Sequence, residues 1–267
     1  MSKHEPNARI YQRVLSGKPA IVEIEEHCID AAKREGLNSC VLASARFADQ
    51  DADGLPAPGA LEQLQLLDEH VAAAADQCNA VLAAIVTSDG RRTWILYGSN
   101  SETLLRAVAA GAKAGGPMRA GIGLGAQVGI VVRSENDPGW KQFSAALPTA
   151  EEIRWNEDLA VIEQLEEYGD DHSVPRPIEH MAFLPTEEAR MEFMQWVRSN
   201  GYEMIMETGR REARGWPAEF AIDSVIDIDE IFEQTCAITV EAERLGGTYD
   251  GWQTRAVEKG AGGDDAM

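Results

Sequence analysis

The sequence predicts an α+β protein of two domains, and three observations support this fold class. Segments of alternating apolar and polar residues, typical of strands, are interspersed with segments whose apolar residues recur at helical spacing. A polar segment with two prolines, at 170–177, separates two such series. The 267 residues suffice for two domains, each with its own core. We expect domains at 1–148 and 174–260, joined by a helix and linker at 149–173.

The first domain is predicted to contain five strands and two helices. The dipeptide Asp89-Gly90 favours a two-residue hairpin turn. One helix shows an apolar stripe from 61 to 78, and another begins where Ser99 and Glu102 have capping-box spacing. Between 40 and 132 the element order is therefore β-α-β-β-α-β. The strands are predicted at 19–26, 40–47, 80–86, 92–97 and 127–132.

The second domain shows the same order of elements. A connecting helix at 150–168 begins with the capping-box pair Thr149 and Glu152, and Trp155, Leu159 and Ile162 form its apolar side. Helices are then predicted after Thr186 and after Asp227, each a favourable N-cap residue. The order β-α-β-β-α-β predicts a ferredoxin-like domain. Its strands are predicted at 178–184, 202–206, 218–225 and 248–257.

Charge is distributed unevenly along the chain. Of the net charge of −21, residues 1–148 contribute −3 and residues 149–267 contribute −18. Such a surface repels nucleic acid and anionic membranes, and it attracts a basic protein segment. Solubility alone is an alternative explanation of the acidic excess. We therefore expect a protein partner with a basic segment, and no direct binding of nucleic acid or membrane.

Cysteine usage and hydropathy indicate the cytoplasm. The four cysteines are scattered without a Cys-x-x-Cys pair, which favours reduced thiols and argues against a structural zinc. No apolar run reaches the ~20 residues that span a bilayer. We expect no secretory leader, because no apolar segment follows the first residues. We expect neither a cofactor nor a metal, since the five histidines lack ligand spacing.

Three short motifs in the second domain resemble the ribonuclease E regulator B (RraB-like) family. They are Pro177-Ile178-Glu179-His180 in the first strand, Gly201-Tyr202-Glu203 after the first helix, and Thr248-Tyr249-Asp250-Gly251-Trp252 in the last strand. The resemblance covers roughly 174–260. It implies a ferredoxin-like fold and a cytoplasmic protein that binds ribonuclease E and restrains its action on transcripts. The family pattern ends in a long acidic tail, whereas this chain has only Asp264 and Asp265 there.

The first domain looks like a family of unknown function that often precedes such units. The matching stretches include Gly17-Lys18-Pro19-Ala20-Ile21-Val22, Asp53-Gly54-Leu55-Pro56 and Arg92-Thr93-Trp94-Ile95-Leu96-Tyr97. This resemblance assigns the first domain to a known family but implies no activity for it.

The predicted partner-binding residues lie in the first and last strands of the second domain. Trp and Tyr are enriched at interface hot spots, and a carboxylate can bind an arginine of a basic segment. Strand alternation predicts Asp250 and Trp252 on one face and Tyr249 and Gly251 on the other. The alternative is that Trp252 belongs to the core and Gly251 marks a bulge. The candidate residues are Glu179, His180, Tyr249, Asp250, Gly251 and Trp252.

Catalysis is the rival class of function, and the sequence offers little for it. Glu179 and His180 are neighbours in a strand and point to opposite faces, so they form no acid–base pair, and His180 is expected to be structural. A metal-dependent hydrolase would use Asp49, Asp51 and Asp53 in one loop of the first domain, without a visible second set of ligands. The glycine-rich run at 121–125 follows a predicted helix and precedes a strand. A phosphate loop instead follows a strand and precedes a helix, so this run is not predicted to bind phosphate. An interaction scaffold with a different partner is a third class.

Overall fold

The computed structural model describes residues 8–25, 28, 30, 36–114, 130–206 and 210–258. Across these residues it shows a mixed α+β protein with two antiparallel sheets and six helices, which confirms the predicted fold class. The chain divides into two compact units, with unit 1 ending at Glu152 and unit 2 beginning at Ile153. None of the described helices is long and apolar enough to cross a membrane.

Unit 1 contains a six-stranded sheet in the order β1-β2-β4-β5-β3-β6, with all neighbouring strands antiparallel. The stretch from β3 to β6 is the predicted β-α-β-β-α-β series. The first strand was not predicted, and it extends the sheet by pairing with β2. The elements are β1 Ala8–Leu15, β2 Lys18–Glu25, β3 Ser39–Arg46, α1 Pro58–Gln77, β4 Val81–Ser88, β5 Arg91–Gly98, α2 Ser101–Ala114, β6 Ile130–Asn136 and α3 Lys141–Ala146.

Both faces of the unit 1 sheet are covered. Helices α1 and α2 pack on one face, around Trp94 and Leu96. The other face packs against α3, where Trp140 stacks on Tyr97 with ring centroids 3.8 Å apart. Asp89 and Gly90 both have positive φ, at 49° and 67°, which confirms the predicted hairpin turn.

Two further sequence predictions for unit 1 concern the start of α2 and the glycine run that follows this helix in the sequence. Its N-terminal cap is Asn100, whose side chain accepts a 3.0 Å hydrogen bond from the backbone of Thr103. The prediction of Ser99 as the cap was therefore wrong by one position, because Asn has the same short acceptor. The glycine run at 121–125 lies outside the described residues.

Unit 2 contains a four-stranded antiparallel sheet in the order β10-β7-β9-β8. Its first and third strands are central and its second and fourth are at the edges, which is the split βαβ arrangement of ferredoxin-like folds. The predicted second and last strands are shorter than expected. The elements are α4 Ala150–Glu167, which begins in unit 1, β7 Arg176–Leu184, α5 Glu187–Ser199, β8 Glu203–Met204, β9 Trp216–Ser224, α6 Ile228–Arg244 and β10 Thr248–Gln253.

The unit 2 sheet has an inner face, which packs against helices, and an opposite outer face. On β7 the inner face carries Ile178, His180, Ala182 and Leu184, all buried. Helices α5 and α6 pack on this face around Phe220. Helix α4 joins the same side through Ile162 and Leu165, which pack with Ile178 and Trp252. All three helices of unit 2 therefore contact the inner face.

The polar segment at 170–177, expected to be a linker, is held by specific bonds within unit 2. Asp170 is buried and accepts a 2.5 Å hydrogen bond from the Arg176 guanidinium and a 2.6 Å bond from the backbone of Val257. The backbone of Ile226 also donates to the His172 carbonyl at 3.0 Å. Asp170 and Arg176 are thus paired with each other, and Asp170 also binds the backbone that follows β10, although the composition of this segment is typical of a free linker.

Candidate functional site: a cleft in unit 2

A β-bulge at Asp250 determines which residues of the last strand face the core. Tyr249 pairs with Ala182 and Trp252 pairs with His180, and the register shifts between Tyr249 and Gly251. Since paired residues of antiparallel strands lie on the same face, Tyr249 and Trp252 both lie on the inner face. The predicted alternation of residues 249–252 was therefore wrong, because the bulge adds one residue to this strand.

Gly251 provides the backbone conformation that this bulge requires. Its φ is 118°, a value that residues with a side chain rarely adopt. A Cβ at this position would meet nothing within 4 Å, so glycine is required by backbone strain and not by lack of space. The alternative interpretation, in which Gly251 marks a bulge and Trp252 packs in the core, describes the local structure.

Trp252 is tied to a buried carboxylate on α4. Its indole Nε1 donates to Asp158 Oδ1 at 2.9 Å, and the Thr235 hydroxyl of α6 donates to Asp158 Oδ2 at 2.6 Å. Asp158 is 1% exposed. Burial raises its pKa to about 6, although both hydrogen bonds favour the charged form. One carboxylate thus links α4, α6 and β10.

Sequence reasoning missed Asp158. The predicted apolar side of this helix was Trp155, Leu159 and Ile162, whereas the buried positions are Asp158, Ile162 and Leu165. The spacing of these three residues, i, i+4 and i+7, is itself helical and was the available signal. An acidic residue at the first position of such a pattern is predicted to be solvent-exposed unless its hydrogen-bond donors are known.

His180 lies in the core of unit 2. Its Nδ1 is 2.8 Å from the Tyr249 hydroxyl, and its ring stacks on Phe220 with centroids 5.5 Å apart. Burial lowers the pKa of His180 to about 4, so the ring is neutral at pH 7. Burial also raises the pKa of Tyr249. These contacts give His180 a structural position on a central strand.

Asp250 projects from the bulge and binds an arginine. The Arg214 guanidinium donates two hydrogen bonds to its carboxylate, at 2.8 and 2.5 Å. The same guanidinium lies 4.4 Å from the centroid of the Phe183 ring. Arg214 lies between β8 and β9, and its side chain remains half-exposed. Glu179 lies nearby on β7 and accepts a 2.9 Å bond from the Gln253 amide.

All six predicted binding residues line one cleft of about 700 Å³ in unit 2. Arg154 of α4 also lines it, 4.9 Å from the centroid of the Tyr249 ring and 3.0 Å from Glu157. The cleft is electronegative, because the described residues that line it include five carboxylates and one arginine. These carboxylates belong to Glu157, Asp158, Glu179, Glu219 and Asp250.

The described residues contain one group whose atoms could hold a metal ion, and it lies in unit 1. It consists of Cys40, Glu135 and Asp137. Asp137 already accepts hydrogen bonds from the Tyr97 hydroxyl at 2.7 Å and from the backbone of Lys141 at 3.0 Å. Burial raises the pKa of the Cys40 thiol to about 12, which opposes the thiolate that a metal requires. Asp137 therefore holds the start of α3 through hydrogen bonds, and the three residues do not suit a metal ion.

The three acidic residues of the first-domain loop do not converge on a site. Asp51 Oδ1 accepts hydrogen bonds from the backbone of Asp53 and of Leu55, both at 2.9 Å. This is the geometry of an Asx turn, in which the side chain shapes its own loop. Within the described residues, Asp49, Asp51 and Asp53 do not form a ligand group. No observation in the described residues favours the hydrolase hypothesis.

Comparisons with known proteins find a family model that matches residues of each unit. No curated protein matches this chain. A crystal structure of an unknown protein from Galdieria sulphuraria is similar over 80% of this chain and 96% of its own, with 11% identity and a TM-score of 0.22. A family model described as a family of unknown function (DUF695) matches residues 8–145, and the RraB model, described as regulator of ribonuclease activity B, matches residues 155–254. The second match begins in α4, ahead of the predicted 174. The chain therefore belongs to the family of unknown function, whose model spans more than half of it, and its residues 155–254 are similar to the RraB family.

Proposed function

We propose that this chain regulates ribonuclease activity in the cytoplasm by binding a protein partner through unit 2, and that the partner is ribonuclease E. The RraB match carries this proposal, because residues 155–254 include the strands and helices that surround the cleft. The proposed effect is inhibition of RNA cleavage.

The chemistry of the cleft supports binding rather than catalysis. Its most deeply buried carboxylate, Asp158, already accepts two hydrogen bonds. Its histidine, His180, is buried against Phe220 and Tyr249. An acid–base catalyst requires a titratable group within reach of substrate, and both of these groups are engaged in packing. The charge around the cleft instead complements a basic protein segment.

Cleavage of a defined RNA by purified ribonuclease E, with and without this chain, tests the proposal. We expect the cleavage rate to fall as the chain reaches equimolar concentration with the enzyme. Polyglutamate of matched total charge is the control, because a chain of net charge −21 can act as a nonspecific polyanion. An unchanged rate, or equal inhibition by polyglutamate, would contradict the proposal.

Direct binding gives a second measurement. Because the attraction between exposed charges is screened by salt, we expect affinity for ribonuclease E to fall steeply between roughly 50 and 300 mM salt. Affinity that does not change with salt would remove electrostatic docking as the mechanism, even if binding itself were observed.

A further inference from the structure

Within the described residues, the helices of unit 2 pack on the inner face of its sheet and not on the outer face. Strand alternation opposite the buried Ile178 and His180 places Glu179 and Met181 of β7 on this face. Register then assigns the residues of neighbouring strands, since Met181 pairs with Glu219 on β9. The polar and exposed residues of this face are Glu179, Met181, Glu203, Glu219 and Asp223, together with Ile205, which follows β8. The same register also places Phe183, Pro217 and Ala221 on it, and these three are buried.

All charged residues that the strands place on this face are acidic. None of the four strands places a Lys or Arg on it. Glu179 pairs with Ala221, two residues from Glu219, so the two carboxylates are diagonal neighbours on adjacent strands, roughly 7–8 Å apart. Within the described part of the chain, neither forms an ion pair with a Lys or Arg. Like charges at this separation repel, and a bound cation would relieve the repulsion.

Apolar surface lies between these charges. Ile205 is 50% exposed, and Met181 is half-buried between Glu219 and Gly251 in the sheet. Both residues line the cleft. A surface of acidic groups around apolar side chains matches arginine, whose methylene stem and planar guanidinium cover apolar area while donating to carboxylates.

Arg214 shows how a guanidinium is held at one end of this face. It lies over the Phe183 ring and forms a bidentate pair with Asp250. Stacking on an aromatic ring and bidentate pairing with a carboxylate are the two interactions that distinguish arginine from lysine. Its side chain is half-exposed, and it comes from a loop rather than from a strand.

From these observations we propose that the outer face receives an arginine-containing segment of the partner protein, and that Arg214 competes with the arginines of that segment for Asp250. This inference rests on the proposed function for the identity of the partner. The site itself is defined by the sheet: two carboxylates on the central strands that form no ion pair among the described residues, apolar surface between them, and an internal arginine at the edge.

Titration with a synthetic peptide of four arginines alternating with alanine tests the face directly. The double variant Glu179→Gln/Glu219→Gln removes two carboxylates from the face. Its matched control, Glu163→Gln/Glu166→Gln, removes two exposed carboxylates of α4 and changes the net charge equally. We expect the face variant to bind about tenfold more weakly and the control to change less than about twofold, since exposed pairs contribute modestly each. Equal loss in both variants would overturn the inference.

Competition by Arg214 predicts a change of opposite sign. Arg214→Ala frees Asp250, so we expect this variant to bind the peptide more tightly by about threefold, the scale of one exposed ion pair. Weaker binding by Arg214→Ala would show that Arg214 does not compete. Circular dichroism of each variant establishes that it is folded before titration.

The same variants separate this inference from the proposed function. If wild-type chain inhibits ribonuclease E and the face variant inhibits equally well, the regulatory function stands and the outer face is not the docking site. If the face binds the peptide selectively but wild-type chain leaves ribonuclease E unaffected, the site stands and the ribonuclease assignment fails.

Discussion

Trp252 donates a 2.9 Å hydrogen bond to Asp158, a residue 94 positions earlier in the sequence. Because Asp158 also accepts a bond from Thr235, this carboxylate joins a strand and two helices of unit 2. Helix α4, in which the RraB match begins, thus supplies both a hydrogen-bond partner and core residues to the domain that follows it.

Replacing Asp158 should change how stability depends on pH. Its pKa of about 6 in the folded protein lies above the ordinary value of 3.8, so folding favours the protonated form. This contribution is full below pH 4 and is lost as pH rises to 6. We expect the free energy of unfolding of wild type, relative to Asp158→Asn, to fall by up to about 3 kcal/mol between pH 4 and pH 7. Urea denaturation at several pH values measures it, with Glu163→Gln as a surface control.

His180 should contribute the opposite slope. Its pKa of about 4 in the folded protein lies below the ordinary 6.5, so its contribution is full above pH 6.5 and is lost as pH falls to 4. In wild type, the opposite pH dependences of stability that arise from Asp158 and His180 partly cancel. We expect Asp158→Asn to lose about 3 kcal/mol more than Asp158→Asn/His180→Gln between pH 7 and pH 4. Parallel pH curves for these two variants would contradict the neutral, buried state of His180.

The hydrogen bond between Trp252 and Asp158 should appear as an energetic coupling. We expect Trp252→Phe to destabilise unit 2 and to leave the carboxylate with Thr235 as its donor. A double-mutant cycle of Trp252→Phe and Asp158→Asn at pH 7 should give a coupling of about 1–2 kcal/mol, typical of a hydrogen bond to a charged group. Additive effects would show that the bond contributes nothing beyond packing.

Gly251→Ala should destabilise the protein through backbone strain alone. The φ of 118° is unfavourable for alanine, while the new methyl group would enter open space. We expect a loss of about 1–3 kcal/mol in the free energy of unfolding. Gly139→Ala is the matched control, because its nearest neighbour would be Lys141 Cγ at 3.9 Å and its φ is not left-handed. A loss of equal size at Gly139 would remove the conformational explanation.

Sequence periodicity predicted most of the secondary structure. The helix caps at Thr186 and Asp227 are confirmed, since both side chains accept hydrogen bonds from the first helical turn. Local signals of this kind act within four residues and can be read directly from sequence. The first strand of unit 1 was missed because its stability comes from pairing with β2, and its exposed Ile10 and Val14 obscure the alternation.

The motif in the last strand was recognisable from sequence, but the direction of its side chains was not. Alternation assigns faces correctly only while the register is regular, and a single extra residue at Asp250 reversed the assignment for Trp252 relative to Tyr249. Asp158 was missed for a different reason: the predicted apolar side of its helix did not include it, and its two hydrogen-bond donors lie on distant parts of the chain.

The sequence by itself determined the fold class, the two families of motifs and the concentration of negative charge in the second half. These properties follow from residue order and composition, which need no long-range contact to be read. Only the tertiary structure decided that residues 179–180 and 249–252 line one cleft, and that acidic residues of the outer sheet face line the same cleft. Strand register and bulges bring distant residues together, and both depend on packing free energy summed over the whole domain.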